Sequence, residues 1–155
     1  MLGNASLIAF IATTDASRTR AFYEDVLGLR FIADDGFALL FEANGTTLRI
    51  ARVEALTPHP FTSLGWEVED ISTVMQTLAT AGVAFEHYGL PGQDDTGAWT
   101  PPDTSTTVAW FKDPDGNLLS LTQLPVAGQP LAIEKEISRR REPVPDRTVE
   151  DRKTS

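Results

Sequence analysis

The sequence predicts an α+β fold: two βαβββ modules forming one pseudo-symmetric domain. Three observations carry the prediction. An Asp follows a short apolar run twice, at Asp15 and at Asp70. After each comes a helix-like stretch, then a Gly (Gly28, Gly82), then an extended stretch with a Phe three residues on (Phe31, Phe85). Near the end of each half a turn opens a final strand: Ala43-Asn44-Gly45 and Asp113-Pro114-Asp115-Gly116. A repeat of about fifty to sixty residues in two copies is too long and too few for a solenoid, which needs about three or more stacked units. A cleft between or inside the copies is the natural place for a ligand.

The first module, about residues 5–55, reads in order. Leu7 to Ala12 is an apolar run of β type, and Thr13-Thr14-Asp15 offers capping oxygens for a helix from Ala16. Ala21, Phe22, Val26 and Leu27 recur at helical spacing as one apolar stripe, and Gly28 ends the helix. Leu29–Ala33, Phe37–Glu42 and Thr46–Val53 are extended. Asp34-Asp35-Gly36 makes the first turn, and Asn44-Gly45 is a strong hairpin signal.

The second module, about residues 61–125, repeats this order. Thr62–Val68 is a strand, and Asp70 or Ser72 caps a helix over Ile71–Ala81 with Val74, Leu78 and Ala81 as its buried stripe. Val83–Tyr88 is extended. A long loop follows, from Gly89 to about Asp103, rich in Gly, Pro, Asp and Thr. A loop of this length inside a compact domain usually serves as a lid or wall of a site. Ser105–Lys112 resumes the sheet. Asp113-Pro114-Asp115-Gly116 has Pro where a type I turn wants it, and Asn117–Gln123 closes the module.

Composition narrows the function classes. At 155 residues the chain holds one domain, placed at 1–129, with a charged extension over 130–155. There is no cysteine, which excludes disulfides, thiolate ligands and thiol nucleophiles. No apolar run approaches the roughly 18 residues of a membrane span. Met1-Leu2-Gly3-Asn4 lacks the basic start of a secretion signal, so the expected location is cytoplasmic. Residues 1–129 carry six basic and sixteen acidic groups, whereas 130–155 carry seven and six. An acidic globule repels phosphate backbones, so nucleic acid is not an expected partner. Arg139-Arg140-Arg141 reads as a solvated run, with pairs such as Glu136 and Arg140 at helical spacing. Leu131, Ile133 and Ile137 suit a short docked helix ended by Pro143 and Pro145.

Phe22-Tyr23-Glu24-Asp25-Val26-Leu27-Gly28-Leu29 and Trp110-Phe111-Lys112-Asp113-Pro114-Asp115-Gly116-Asn117 together resemble the vicinal-oxygen-chelate superfamily. That group contains glyoxalase, bleomycin-resistance proteins and extradiol dioxygenases. The resemblance spans roughly residues 5–125 with both modules in order, and implies curved mixed sheets enclosing a cavity. It also implies either pairing of modules within one chain or dimers whose sites form at the interface, which leaves a homodimer open.

Catalytic members of that superfamily hold a divalent metal with four His or Glu side chains. Carried over residue by residue, the first-strand positions fall at Ile8 and at Ser63 or Leu64. The last-strand positions, four residues after each turn glycine, are Arg49 and Ser120. None is an imidazole or carboxylate, the donors such metals want. Arg49 places a permanent cation where the metal belongs. No metal site and no cofactor is therefore expected, which argues against metal-dependent isomerisation or dioxygenation.

Other residues supply a binding site. Alternation puts Thr47, Arg49 and Ala51 on one strand face, with Leu48 and Ile50 on the other, helix-side face. Arg49 then faces the cavity and suits an anionic ligand, or else pairs with Glu42 or Glu67. Leu118, Ser120 and Thr122 share the concave side by the same rule. Trp66, Trp99, Trp110 and Tyr88 offer flat apolar surfaces or core, with Trp99 set in the polar Asp94–Pro102 loop. His59 lies between Pro58 and Pro60 in the inter-module linker, and His87 precedes Tyr88. Both read as boundary histidines or as cavity lining.

Two functions follow. The first is a metal-free protein that holds a small anionic or aromatic molecule through Arg49, Ser120 and the aromatics. The second is an enzyme, a lyase, isomerase or dioxygenase, which without metal needs an acid–base pair such as Glu67 or His59 in the cavity. Binding is the expectation.

Overall fold

The computed structural model describes residues 1–126; the extension expected over 130–155 lies outside the described residues. The first module runs β1 (Ile8–Thr13), α1 (Ala16–Ala21), β2 (Arg30–Asp34), β3 (Ala38–Ala43) and β4 (Thr46–Arg52). Its sheet has the order β1-β4-β3-β2, with β1 parallel to β4 and the remaining pairs antiparallel. The second module runs β5 (Leu64–Glu67), α2 (Ile71–Thr80), β6 (Thr107–Lys112) and β7 (Leu118–Gln123). Its sheet has the order β5-β7-β6, with β5 parallel to β7. The two parallel pairs occupy matching places, so the repeat read in the sequence is a repeat of structure. The fourth strand of the second module is the exception. Val83–Tyr88 makes a single bridge, Phe85 to Phe111, with the Glu86 N–H donating to the Trp110 carbonyl.

Both helices start as their capping residues dictate. The Asp15 carboxylate accepts from the Arg18 N–H and that of Asp70 from the Thr73 N–H. The first helix then departs from a plain α-helix. A π-turn over Phe22–Val26 carries it to Gly28, with the Leu27 N–H on the Phe22 carbonyl and the Leu29 N–H on that of Tyr23. The residues this helix buries are Thr19 and Tyr23; Ala21 of the expected stripe is exposed, and Phe22, Val26 and Leu27 are half-buried. The helix turns two polar side chains inward because partners await them there. In α2 the buried stripe is Ile71, Met75 and Leu78, with Val74 half-buried and Ala81 exposed. Met75 takes the place next to Leu78 that Val74 and Ala81 were expected to fill.

One core joins the modules. Tyr23 packs against Phe41 and Phe22, Phe41 against Phe31, and Phe111 against Phe85. Leu48, Ile50, Leu119 and Leu121 complete it. Each fully buried side chain of this size is worth about 1.5–3 kcal/mol.

A polar joint fixes one module to the other. The Asp115 carboxylate accepts from the hydroxyls of Thr13 (2.6 Å) and Thr14 (2.7 Å) and from the Thr14 N–H (2.8 Å). The Thr19 hydroxyl lies 3.0 Å from the same carboxylate. Tyr23 donates its hydroxyl to Asp113 at 3.0 Å, and the Asn117 amide donates to the Ala12 carbonyl. The turn that opens β7 is thus the socket into which β1 and α1 plug. No described helix is long and apolar enough to cross a membrane.

Candidate functional site

Register sorts the expected site residues onto faces. In the second sheet Gly65, Ser120 and Trp110 lie abreast, and Trp66, Leu121 and Ala109 lie abreast on the other face. Leu121 and Ala109 belong to the core, so Ser120 and Trp110 occupy the opposite, concave face. Glu67, abreast of Thr122 and Val108, shares that face. Gly65 is required there. A Cβ on it would stand 2.7 Å from the Ser120 Oγ.

Three aromatic rings gather on this face. Trp110 meets Tyr88 edge-on with centroids 5.6 Å apart, and meets Trp99, tilted by 33°, at the same separation. Trp99 is held by backbone hydrogen bonds in both directions with Val108 and by its indole N–H on the Pro91 carbonyl. The long loop is therefore a knitted wall, and its polar residues do the knitting. The Gln93 amide donates to the Glu86 and Gly97 carbonyls, and its oxygen accepts from the Tyr88 N–H. Asp94 accepts from the Thr96 and Ala98 N–H groups. Burial, and then the nearby Glu86 charge, push the Tyr88 hydroxyl above its ordinary pKa, so it stays a neutral donor.

Arg49 stands elsewhere. It lies abreast of Phe10 and Leu40 on the face of the first sheet opposite the core. Its guanidinium pairs with Asp35 at 2.8 Å, and neither Glu42 nor Glu67 is its partner. Asp35 is held ionised by the Ala38 and Phe37 N–H groups and then by Arg49, which keep its carboxyl below the usual range. Arg49 of β4 is thus ion-paired to the β2–β3 turn, and no hydrogen bond or ion pair among the described residues links it to Ser120 or to the rings. His59 stacks on Phe61 at 4.9 Å in the linker, exposed and away from the aromatic wall's bonding network. Trp66 is directed to the other side of β5.

The first-strand register that the sequence left open resolves to Ser63. Its N–H donates to the Leu118 carbonyl, and alternation puts it on the face of Gly65 and Ser120, with Leu64 on the other. The four positions that the resemblance assigns to metal ligands therefore read Ile8, Arg49, Ser63 and Ser120. An alkyl group, a guanidinium and two hydroxyls do not fit a divalent metal. Among the described residues no three His, Asp or Glu side chains group to hold one.

The sequence reading missed the buried bonding roles of Asp113 and Asn117. Asp113 and Asn117 are buried, and Asp113 accepts from the Asp115 and Asn117 N–H groups, the Asn117 amide and Tyr23. The Asp-Pro-Asp-Gly-Asn run signalled a turn, but nothing local signalled that the turn receives the other module.

Comparison with curated protein sequences gives no match. Solved structures resemble the fold closely. The genomically encoded fosfomycin resistance protein FosX from Listeria monocytogenes superposes with a TM-score of 0.64 at 13% identity, covering 79% of this chain and 95% of that one. A glyoxalase family protein from Bacillus anthracis gives 0.60 at 17%, covering 79% and 96%. A lactoylglutathione lyase from Agrobacterium tumefaciens gives 0.59 at 18%, covering 81% and 98%. At these identities the likeness is one of fold. The sequence profile of the Glyoxalase/Bleomycin resistance protein/Dioxygenase superfamily matches residues 6–121, and the chain belongs to that superfamily.

Proposed function

We propose that this chain is a metal-free binding protein that holds a small planar, aromatic molecule on the concave face of the second sheet. The observation that carries this reading is the Tyr88–Trp110–Trp99 wall beside Ser120 and Gly65. Offset and edge-on ring packing gains about 0.5–1.5 kcal/mol per pair beyond area burial. The Ser120 hydroxyl supplies one polar contact for orientation. Arg49 does not anchor the ligand, because Asp35 already occupies it. The donor set argues for capture over metal-assisted turnover.

A second copy of the chain is part of this reading. Ile8 and Phe10 of β1 lie uncovered beside Arg49, with Phe10 64% exposed. Light scattering reads the oligomeric state independently of the ligand.

Thermal melting across a panel of aromatic metabolites and antibiotics, together with elemental analysis of the purified protein, tests the function. The expected result is a ligand that raises the melting temperature, with no stoichiometric metal. A panel without a single stabilising ligand overturns the binding reading. Stoichiometric metal would restore the lyase, isomerase or dioxygenase alternative.

A further inference from the structure

A cavity lies along β5, and its walls come from both modules. It encloses about 680 Å³, within the range of drug-sized ligand sites. Leu27, Leu29 and Leu48 line it from the first module, Leu64 and Trp66 from the second. Its lining follows the edge strand β5 from Ser63 to Trp66, both faces included, and contains none of the rings Tyr88, Trp99 and Trp110.

The walls are apolar and incompletely covered. Leu27, Leu29, Leu64 and Trp66 are only half-buried, and Leu7 at the entrance is 73% exposed. Covering such surface is favourable by about 25 cal/mol per Å².

The rim decides the charge of what enters. Arg30 and Glu42 stand there as a pair, Nε to Oε2 at 3.5 Å. The other Glu42 oxygen accepts the Gly45 N–H, so both carboxylate oxygens are engaged. Asn44, Thr46 and Ser63 are the remaining polar lining, and all are uncharged. The pair leaves the rim with no net charge, and an anion would enter against the excess of acidic groups in residues 1–129.

We infer that this inter-module cleft is a binding site for an uncharged, largely apolar aromatic molecule, one ring of which lies against Trp66. It goes beyond the aromatic wall of the proposed function and stands or falls separately from it.

Two probes with the same ring skeleton test the inference: neutral N-phenyl-1-naphthylamine and its charged analogue 8-anilinonaphthalene-1-sulfonate. The neutral probe is expected to bind saturably, and the sulfonate about tenfold or more weaker. Leu7→Glu, at an exposed position, and Ala43→Phe, which fills the cleft from β3, each lower affinity for the neutral probe by about tenfold. Trp99→Leu leaves it within about twofold, a difference under about 0.5 kcal/mol. Absence of saturable binding overturns the inference. So does equal affinity for the sulfonate, or affinity that falls with Trp99→Leu and not with Leu7→Glu. Melting curves of each variant confirm that the fold is retained, and Leu7→Glu keeps the test decisive should Ala43→Phe misfold.

Discussion

The Thr13 hydroxyl donates to the Asp115 carboxylate at 2.6 Å, tying the first strand of one module to the last turn of the other. Thr13 and Thr19 are buried, and their hydroxyls lie 2.7 Å apart beside that carboxylate. Removing the acceptor leaves one of these two buried hydroxyls with no acceptor for its proton, which costs more than an ordinary hydrogen bond. Asp115→Ala is therefore expected to lower unfolding free energy by about 1–3 kcal/mol. Thr14→Ala, whose hydroxyl bond is exposed to water, should cost under about 1 kcal/mol. Urea denaturation of the three proteins measures both. Equal effects would mean that the joint is a surface contact only.

The pKa values of the two carboxylates of this turn are shifted in opposite directions. Burial pushes Asp113 above the ordinary carboxylate value, offset only in part by Asn117, Tyr23 and the Asp115 N–H. Burial also raises Asp115, but the bonds from Thr13, Thr14 and Thr19 outweigh it and leave the group below that value. The signs for stability follow from linkage. The contribution of Asp115 is complete above its unfolded pKa, about 3.9, and is lost as pH falls through its lower folded value. The relative stabilisation from Asp113 is complete below that unfolded value and is lost as pH rises through its higher folded value. Carboxyl ¹³C shifts followed by NMR should show Asp113 titrating at a higher pH than Asp115. The reverse order would contradict the burial of Asp113.

This joint marks the limit of what the sequence discloses. Asp15, Asp70, Asn44-Gly45 and the turn at Gly116 act on backbone within a few residues, so caps and hairpin were legible from local chemistry. The capping bonds and the φ of 46° and 86° at Asn44 and Gly45 follow. Thr19 and Tyr23 failed as sequence signals for a physical reason. A polar residue on a helix reads as solvent-facing unless its partner is known, and their partners lie 96 and 90 residues away. The site shows the same division. Alternation along β7 puts Ser120 and Thr122 on the face opposite the core, because a strand has a period of two. The partner of Arg49 was missed, since Asp35 reaches it across a turn from another strand. The same applies to Trp66, whose side of β5 depends on the register with β7.

Trp99 can be changed without loss of the core, because it belongs to the loop and lies outside the buried cluster. Trp99→Leu keeps apolar bulk while removing the π-face. Binding of 2-naphthol should weaken about 2- to 12-fold, the equivalent of about 0.5–1.5 kcal/mol. The saturated decahydro-2-naphthol should be affected less, since it has no ring to pack against the indole. Calorimetric titration of both compounds reads the difference. If the two compounds weaken equally, Trp99 contributes area and no ring geometry.

Gly65 and Ser120 form a matched pair on neighbouring strands, and the match predicts a compensation. A methyl group at 65 would stand 2.7 Å from the Ser120 Oγ, below any normal contact. Ser120 is buried, so its side chain has little room to swing away. Gly65→Ala is expected to destabilise the fold by about 1–3 kcal/mol, the usual cost of overpacking. Ser120→Ala removes the atom that clashes, so in that background the same substitution should cost under about 1 kcal/mol. The coupling between contacting residues is then about 0.5–3 kcal/mol by double-mutant cycle, measured from urea unfolding of four proteins. Additive costs would show that the clash is relieved by strand movement, and that Gly65 is not what keeps Ser120 in place beside Trp110.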